Sequence, residues 1–269
     1  MSAAEDYEAG RLKEALRAAT DEVKAKPADV SRRLFLSELL LFSGELDRAD
    51  KQLDAVSQQD TKQAVGVALL RQLLRAETAR RQFYSEGRLP EFLTQPTPEL
   101  RLRLEASIRV REGNLKEAAR LLGEAEAKRP RVQGTLDGQA FDDFRDLDDL
   151  TASFLEVLTS NGKYYWIPIE SLELVEFLPC TRAHDLFWRG THMILRGGPD
   201  GVVYLPTLYN GSEVSGDEKV RLGRATDWAG GDGSPIRGVG QRMYLAGDRD
   251  VSILELKRLE ITGAAGGQA

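Results

Sequence analysis

The chain has 269 residues, 41% hydrophobic and 30% charged, with a formal net charge of −6. That length allows two folding units with ample apolar surface, and no run approaches the roughly 18–20 apolar residues of a membrane span. Charge is uneven: residues 1–130 hold 23 Lys/Arg against 22 Asp/Glu, and residues 131–269 hold 14 against 21. Neither half has the cation excess of a general nucleic-acid binder. The single Cys180 excludes an intramolecular disulfide framework, and Met1–Gly10, with Glu5, Asp6 and Glu8, lacks the basic and apolar regions of a signal peptide. Both features suggest a cytoplasmic protein.

A hexapeptide recurs in the first half. Gly10-Arg-Leu-Lys-Glu-Ala15 is echoed by Gly44-Glu-Leu-Asp-Arg-Ala49 and Gly113-Asn-Leu-Lys-Glu-Ala118, at intervals of 34 and 69 residues. Thirty-four residues is the tetratricopeptide (TPR) period, and Pro27 and Pro130 each follow their glycine by 17 residues. Glycine suits the left-handed turn between paired helices, a small alanine lets those helices approach, and proline ends the second one. The repeat expected near residue 78 lacks its glycine. Thr61–Tyr84 reads instead as one long helix with Val65, Leu69, Leu70, Leu73 and Leu74 on its apolar side, and Gly87–Pro98 as a break. The reading is a short, degenerate TPR-like α-solenoid over residues 1–134. Stacked helical pairs present a concave surface suited to a peptide or helix. Arginines are dense here, and Arg71, Arg75, Arg101 and Arg103 are either a solvated face or a cationic rim for an acidic partner segment.

Residues 135–269 are expected to form a compact domain of short antiparallel strands with long loops and one helix, giving an α+β chain. Val132–Gly138 reads as a linker and Leu150–Leu158 as the helix. Tyr164–Ile169, Ser171–Leu178, Thr191–Leu195, Val202–Leu205, Met243–Ala246 and Val251–Leu256 read as strands punctuated by glycine and proline. Asp142, Asp143, Asp146, Asp148 and Asp149 lack EF-hand spacing and suit a helix start.

Catalytic patterns are weak. His184 and His192 with one cysteine make no zinc set, there is no Gly-x-Ser-x-Gly elbow, and Gly238-Val-Gly240 is half of a dinucleotide fingerprint. No catalytic residue, metal or cofactor is expected.

One succession is specific: Phe177-Leu-Pro-Cys-Thr-Arg-Ala-His-Asp-Leu-Phe-Trp-Arg189, Tyr204-Leu-Pro-Thr-Leu-Tyr-Asn-Gly-Ser212, Arg221-Leu-Gly-Arg-Ala-Thr-Asp-Trp228, Arg237-Gly-Val-Gly-Gln-Arg-Met-Tyr244 and Gly247–Leu259. With Phe141–Asp149 and Tyr165-Trp-Ile-Pro168, it resembles the ImpE family, also called TagJ, accessory proteins of bacterial type VI secretion systems. Cys180 stands where that pattern has a second proline, and Arg182-Ala-His-Asp185 replaces Arg-Pro-Arg-Asp. The resemblance implies a non-enzymatic adaptor that binds the N-terminal helix of the contractile sheath's small subunit (TssB) and is connected with the ClpV ATPase. The competing reading is a general TPR-type scaffold or chaperone for another cytoplasmic partner. Asp185, Trp188, Arg189, Arg221, Arg224, Asp227, Trp228, Arg237 and Arg242 form either Arg–Asp locks around half-buried tryptophans or a polar pocket with an aromatic wall.

Overall fold

The computed structural model describes residues 2–264. Seven helices come first: α1 (Ala3–Glu8), α2 (Leu12–Ala25), α3 (Val30–Phe42), α4 (Leu46–Gln59), α5 (Ala64–Glu86), α6 (Pro98–Arg111) and α7 (Leu115–Lys128). The recurrent glycines sit at the three tight turns that pair α1 with α2, α3 with α4 and α6 with α7. Gly10, Gly44 and Gly113 have φ of 79°, 82° and 75°, the left-handed region that suits glycine. Without such a turn, α5 runs unbroken for 23 residues until Gly87 stops it. Leu70, Leu73 and Leu74 of α5 are buried and Leu69 is partly so. Val65, expected on the same apolar side, is 85% exposed because it lies in the first turn, beyond its neighbours.

Among the described residues, thirteen strands follow. The main sheet has eight strands in the order β2-β1-β13-β6-β7-β8-β4-β5, all pairs antiparallel. These are β1 (Val132–Leu136), β2 (Gln139–Phe141), β4 (Phe154–Leu158), β5 (Tyr164–Pro168), β6 (Leu172–Phe177), β7 (Trp188–Leu195), β8 (Asp200–Pro206) and β13 (Arg258–Ala264). A three-stranded sheet combines β3 (Phe144–Asp146), β11 (Met243–Ala246) and β12 (Arg249–Ser252), and β9 (Thr226–Gly231) pairs with β10 (Ser234–Gly240) in a hairpin.

Two expectations fail here for identifiable reasons. Leu150–Leu158 is a turn followed by β4, not a helix, and among the described residues the only α-helix of this half is the four-residue α8 (Glu218–Arg221). All five β4 residues are buried. Phe154 and Leu158 join a core shared with the helices, while Leu155 and Val157 join the core beneath the small sheet. A strand covered on both faces loses the alternation that distinguishes it from a buried helix. The expected linker Val132–Gly138 is mostly β1. Gly134 marks a bulge in which a Cβ would lie 1.9 Å from the Glu260 carbonyl oxygen, so close approach, not looseness, requires the glycine.

The two faces of the main sheet have different fates. One, with Val157, Ile167, Val175, Met193, Leu205 and Leu259, is buried with Phe144, Tyr244 and Ile253. The other begins with Glu156, Leu158, Tyr164, Trp166 and Trp188, which lie under α3 and α5. There Trp166 stacks on Phe154 at 3.9 Å and meets Phe83 edge-on at 4.9 Å.

The α6–α7 hairpin tests the glycine reading. Gly113→Ala should destabilise the protein by about 1–2 kcal/mol, the left-handed penalty of an L-residue. Gly123→Ala, inside α7 with open space at its Cβ, should stabilise it by roughly 0.5–1 kcal/mol. Urea unfolding of the two variants checks both signs.

Candidate functional site

On α5, Glu77, Arg80, Arg81 and Tyr84 recur at three- and four-residue steps and so share a face. That face meets β4, whose single charged residue, Glu156, points toward the helices. Arg80 donates from Nε to Glu156 Oε2 at 3.0 Å, from Nη1 to Glu77 Oε1 at 3.1 Å and from Nη2 to the Leu208 carbonyl at 2.9 Å. Arg242 reaches the same Glu156 oxygen from the other side and donates to Asp146 Oδ2 at 2.6 Å. The second Glu156 oxygen accepts from Tyr84 at 3.0 Å and from Tyr164 at 2.5 Å, and Trp166 Nε1 donates to that Tyr164 hydroxyl at 2.6 Å. Tyr209 donates to Asp146 at 2.7 Å, Trp188 Nε1 lies 3.4 Å from Glu77, and Arg237 grips Asp148 at 2.8 and 2.9 Å.

The network is close to neutral, with carboxylates Glu77, Asp146, Asp148 and Glu156 facing guanidiniums Arg80, Arg81, Arg237 and Arg242. Burial alone would raise the Glu156 carboxyl. Arg80 and Arg242, with the two tyrosine hydroxyls, outweigh it and lower that group from 4.5 to about 2. Burial followed by the Glu156 charge pushes the Tyr84 and Tyr164 hydroxyls well above their ordinary value. The void beside Glu77 and Arg80 measures about 10 Å3, on the order of one water. These groups are held as fixed ion pairs against one another.

The expected polar and aromatic set is therefore brought together only in part. Trp188, Arg237 and Arg242 belong to this network. Arg189 is buried elsewhere, donating to the carbonyls of Leu178, Ile253, Leu254 and Leu256. Asp185 accepts from the backbone N–H groups of Thr181 and Arg182. Arg224 donates to the Tyr7 and Glu8 carbonyls at 2.7 Å and lies over the Tyr7 ring, so it ties α1 to the second half. Arg221 is half-buried on α8. Trp228 is exposed beside Tyr209, and Asp227 accepts from the Trp228 N–H.

Of the helical arginines, Arg103 is buried and bonds Glu99, Glu126 and the Asp149 carbonyl, so it faces no partner surface. Arg71 bridges Asp50 and Asp54 of α4. Arg75 and Arg101 are exposed. The acidic stretch is also consumed internally: Asp143 pairs with Arg129, Asp146 with Arg242, Asp148 with Arg237 and Asp149 with Arg145. Among the described residues, no group of three or more His, Cys, Asp or Glu is arranged to hold a metal. Gly238 and Gly240 serve packing, since a Cβ on Gly238 would lie 2.2 Å from the Tyr209 ring and Gly240 has φ of 93°. Where the family pattern changes, Cys180 Sγ lies 3.6 Å from the Asp185 carbonyl and His184 Nδ1 lies 2.7 Å from buried Glu38 on α3.

Sequence reasoning missed Glu77, Tyr84, Glu156 and Tyr164. One visible trace was Glu156, a lone charge inside the apolar run Phe154–Leu158. An open cleft of about 410 Å3 lies between Phe92–Thr97 and β5, walled by Phe92, Leu93, Trp166, Ile167 and Leu195, and shares Trp166 with the network.

The chain as a whole is similar to known proteins. Residues 138–260 match the family described as ImpE protein. The chain is also 30% identical over 260 residues, 97% of its length and 91% of the relative's, to a Pseudomonas aeruginosa protein named type VI secretion system accessory component TagJ. The chain belongs to the ImpE/TagJ family. Its similarity to solved structures agrees: the crystal structure of protein VPA1032 from Vibrio parahaemolyticus shares 26% identity and a TM-score of 0.90, covering 98% of both chains. The likeness thus spans the helices as well as the residues that match the ImpE family.

Glu156→Gln should cost about 3–5 kcal/mol, because it leaves two buried arginines undercompensated. The pH dependence has a definite sign. A carboxyl held at about 2 when folded and near 4.5 when unfolded contributes its full stability above about pH 4.5, and that contribution fades as pH falls toward 2. Urea midpoints of the wild type and Glu156→Gln, measured from pH 6 to pH 3, should therefore converge on acidification.

Proposed function

We propose that the chain is a non-enzymatic, cytoplasmic adaptor of a type VI secretion system. In this reading it binds the N-terminal helix of the contractile sheath's small subunit, TssB, and is connected with ClpV-dependent disassembly of the sheath. The observation that carries the reading is the chain-long similarity to a relative named as an accessory component of that system. Accessory membership implies protein partners within it.

Two structural features support the reading. The buried carboxylates and guanidiniums of the network are paired with one another, and the helical hairpins resemble a degenerate TPR-like stack, an architecture used to hold peptides and helices. Within this proposal the exposed Arg75 and Arg101, which among the described residues bond only Gln72 and the Pro96 carbonyl, serve as a cationic rim, whereas Arg71 and Arg103 are held in internal ion pairs. The alternative, a general TPR-type scaffold or chaperone, shares the fold and differs in partner.

Fluorescence anisotropy separates them. A labelled peptide of the TssB N-terminal helix should bind the full-length protein with micromolar affinity, unaffected by an excess of unrelated amphipathic peptide. Binding of unrelated peptides with equal affinity, and no preference for the sheath peptide, would favour the general scaffold.

A further inference from the structure

The helical layer covers only one end of the sheet face that it packs against. Leu158 pairs with Tyr204 on β8, and Tyr204 packs at the margin of the shared core. Beyond Tyr204 the same face continues across β8, β7, β6 and β13, and strand register places its residues in rows. Val202 stands opposite His192, His192 opposite Glu176, and Glu176 opposite Arg258. In the next row Asp200, Ile194, Leu174 and Glu260 stand side by side.

Alternation puts Val175, Met193 and Leu205 on the buried side of these strands, so Leu174, Ile194, Val202 and Tyr204 point to the other. Val202 is 50% exposed, and Leu178, whose side chain lies over Gly190 beside Tyr204, is 41% exposed. An apolar stripe therefore leaves the shared core at Tyr204 and runs out uncovered. A half-covered apolar sheet face is the ordinary seat of another helix in a layered α+β fold.

Charge identifies what kind of helix. Glu176, Asp200 and Glu260 border the stripe; Arg258 is bonded to both Glu176 and Glu260, and Arg196 at the end of the rows donates to the Leu172 and Ile261 carbonyls. His192 sits between Asp200, at 2.6 Å from Nε2, and Glu176, at 3.6 Å from Nδ1. Three carboxylates thus stand against two guanidiniums and one imidazole. Such a border attracts cations and repels anions.

We propose that this face, centred on Val202, Ile194, Leu174 and Tyr204, docks an amphipathic partner helix with Lys or Arg flanking its apolar side, extending the helical layer next to α5. For the kind of partner the proposal rests on the adaptor reading; for the place it rests on the sheet. Leu93, Asp200 and Val202 line one cleft along the edge of this face.

The test uses the full-length protein and the TssB helix peptide. Val202→Asp and the double variant Glu176→Lys/Asp200→Lys should each weaken binding by about tenfold or more. Val65→Asp, on the exposed first turn of α5, should leave it unchanged, and near-wild-type melting curves exclude misfolding. Equal binding by wild type and both face variants would overturn the proposal while leaving the adaptor reading intact.

If the wild type fails to bind the TssB peptide, the adaptor reading fails, and a designed Leu/Lys helix of about 18 residues, five turns long, decides the face. Binding that Val202→Asp abolishes, and that a Leu/Glu helix does not share, supports it. Absence of binding, or equal binding of the Leu/Glu helix, overturns it.

Discussion

The Glu156 carboxylate is the point on which the two halves of the chain close. It is fully buried on β4, and a lone ionised carboxylate there would be costly. Arg80 from α5 and Arg242 from the turn before β11 both bind it, and two tyrosine hydroxyls complete its shell. Arg80 also binds Glu77 and the Leu208 carbonyl, so α5 can occupy one axial position against the sheet and not a position one turn away. Buried ion pairs contribute little net stability compared with apolar packing, and their best-attested benefit is register. Here the register set is that of a long helix against a twisted sheet.

The smaller locks follow the same logic. Arg103 joins α6 to the segment before β4, Arg129 of the α7 C-cap joins Asp143, and Arg224 caps α1 from 216 residues away. Arginine suits these positions because its planar fork satisfies several acceptors at once while staying charged. With so many charged side chains turned inward, the apolar stripe beyond Tyr204 stands out as surface that no element among the described residues occupies.

Much of the helical half was legible because glycine at a left-handed turn leaves a residue-level trace, and three copies fixed three hairpins. The strands Tyr164–Ile169 and Ser171–Leu178 were legible by composition and turn residues. β4 was not, because burial on both faces erased its alternation. β1 looked like a linker because Gly134 serves a backbone contact with β13, more than a hundred residues away. β9, β10 and the full extent of β13 were obscured by their glycines and charges. For the site, residue type was readable but destination was not. Arg242 and Trp188 were singled out, yet nothing local distinguishes them from Arg189 or Trp228, which go elsewhere. Glu77 and Glu156 look like ordinary acidic residues until α5 and β4 face each other.

The most direct test of this coupling is equilibrium unfolding followed by two probes in a Trp228→Phe background, where Trp166 and Trp188 alone report by fluorescence. Both indoles lie in the core shared by helices and sheet. Helix loss, read by circular dichroism at 222 nm, and tryptophan exposure should follow one superimposable urea transition. Two separated transitions, with either signal changing while the other persists, would show that the helical and sheet halves are not held as one unit.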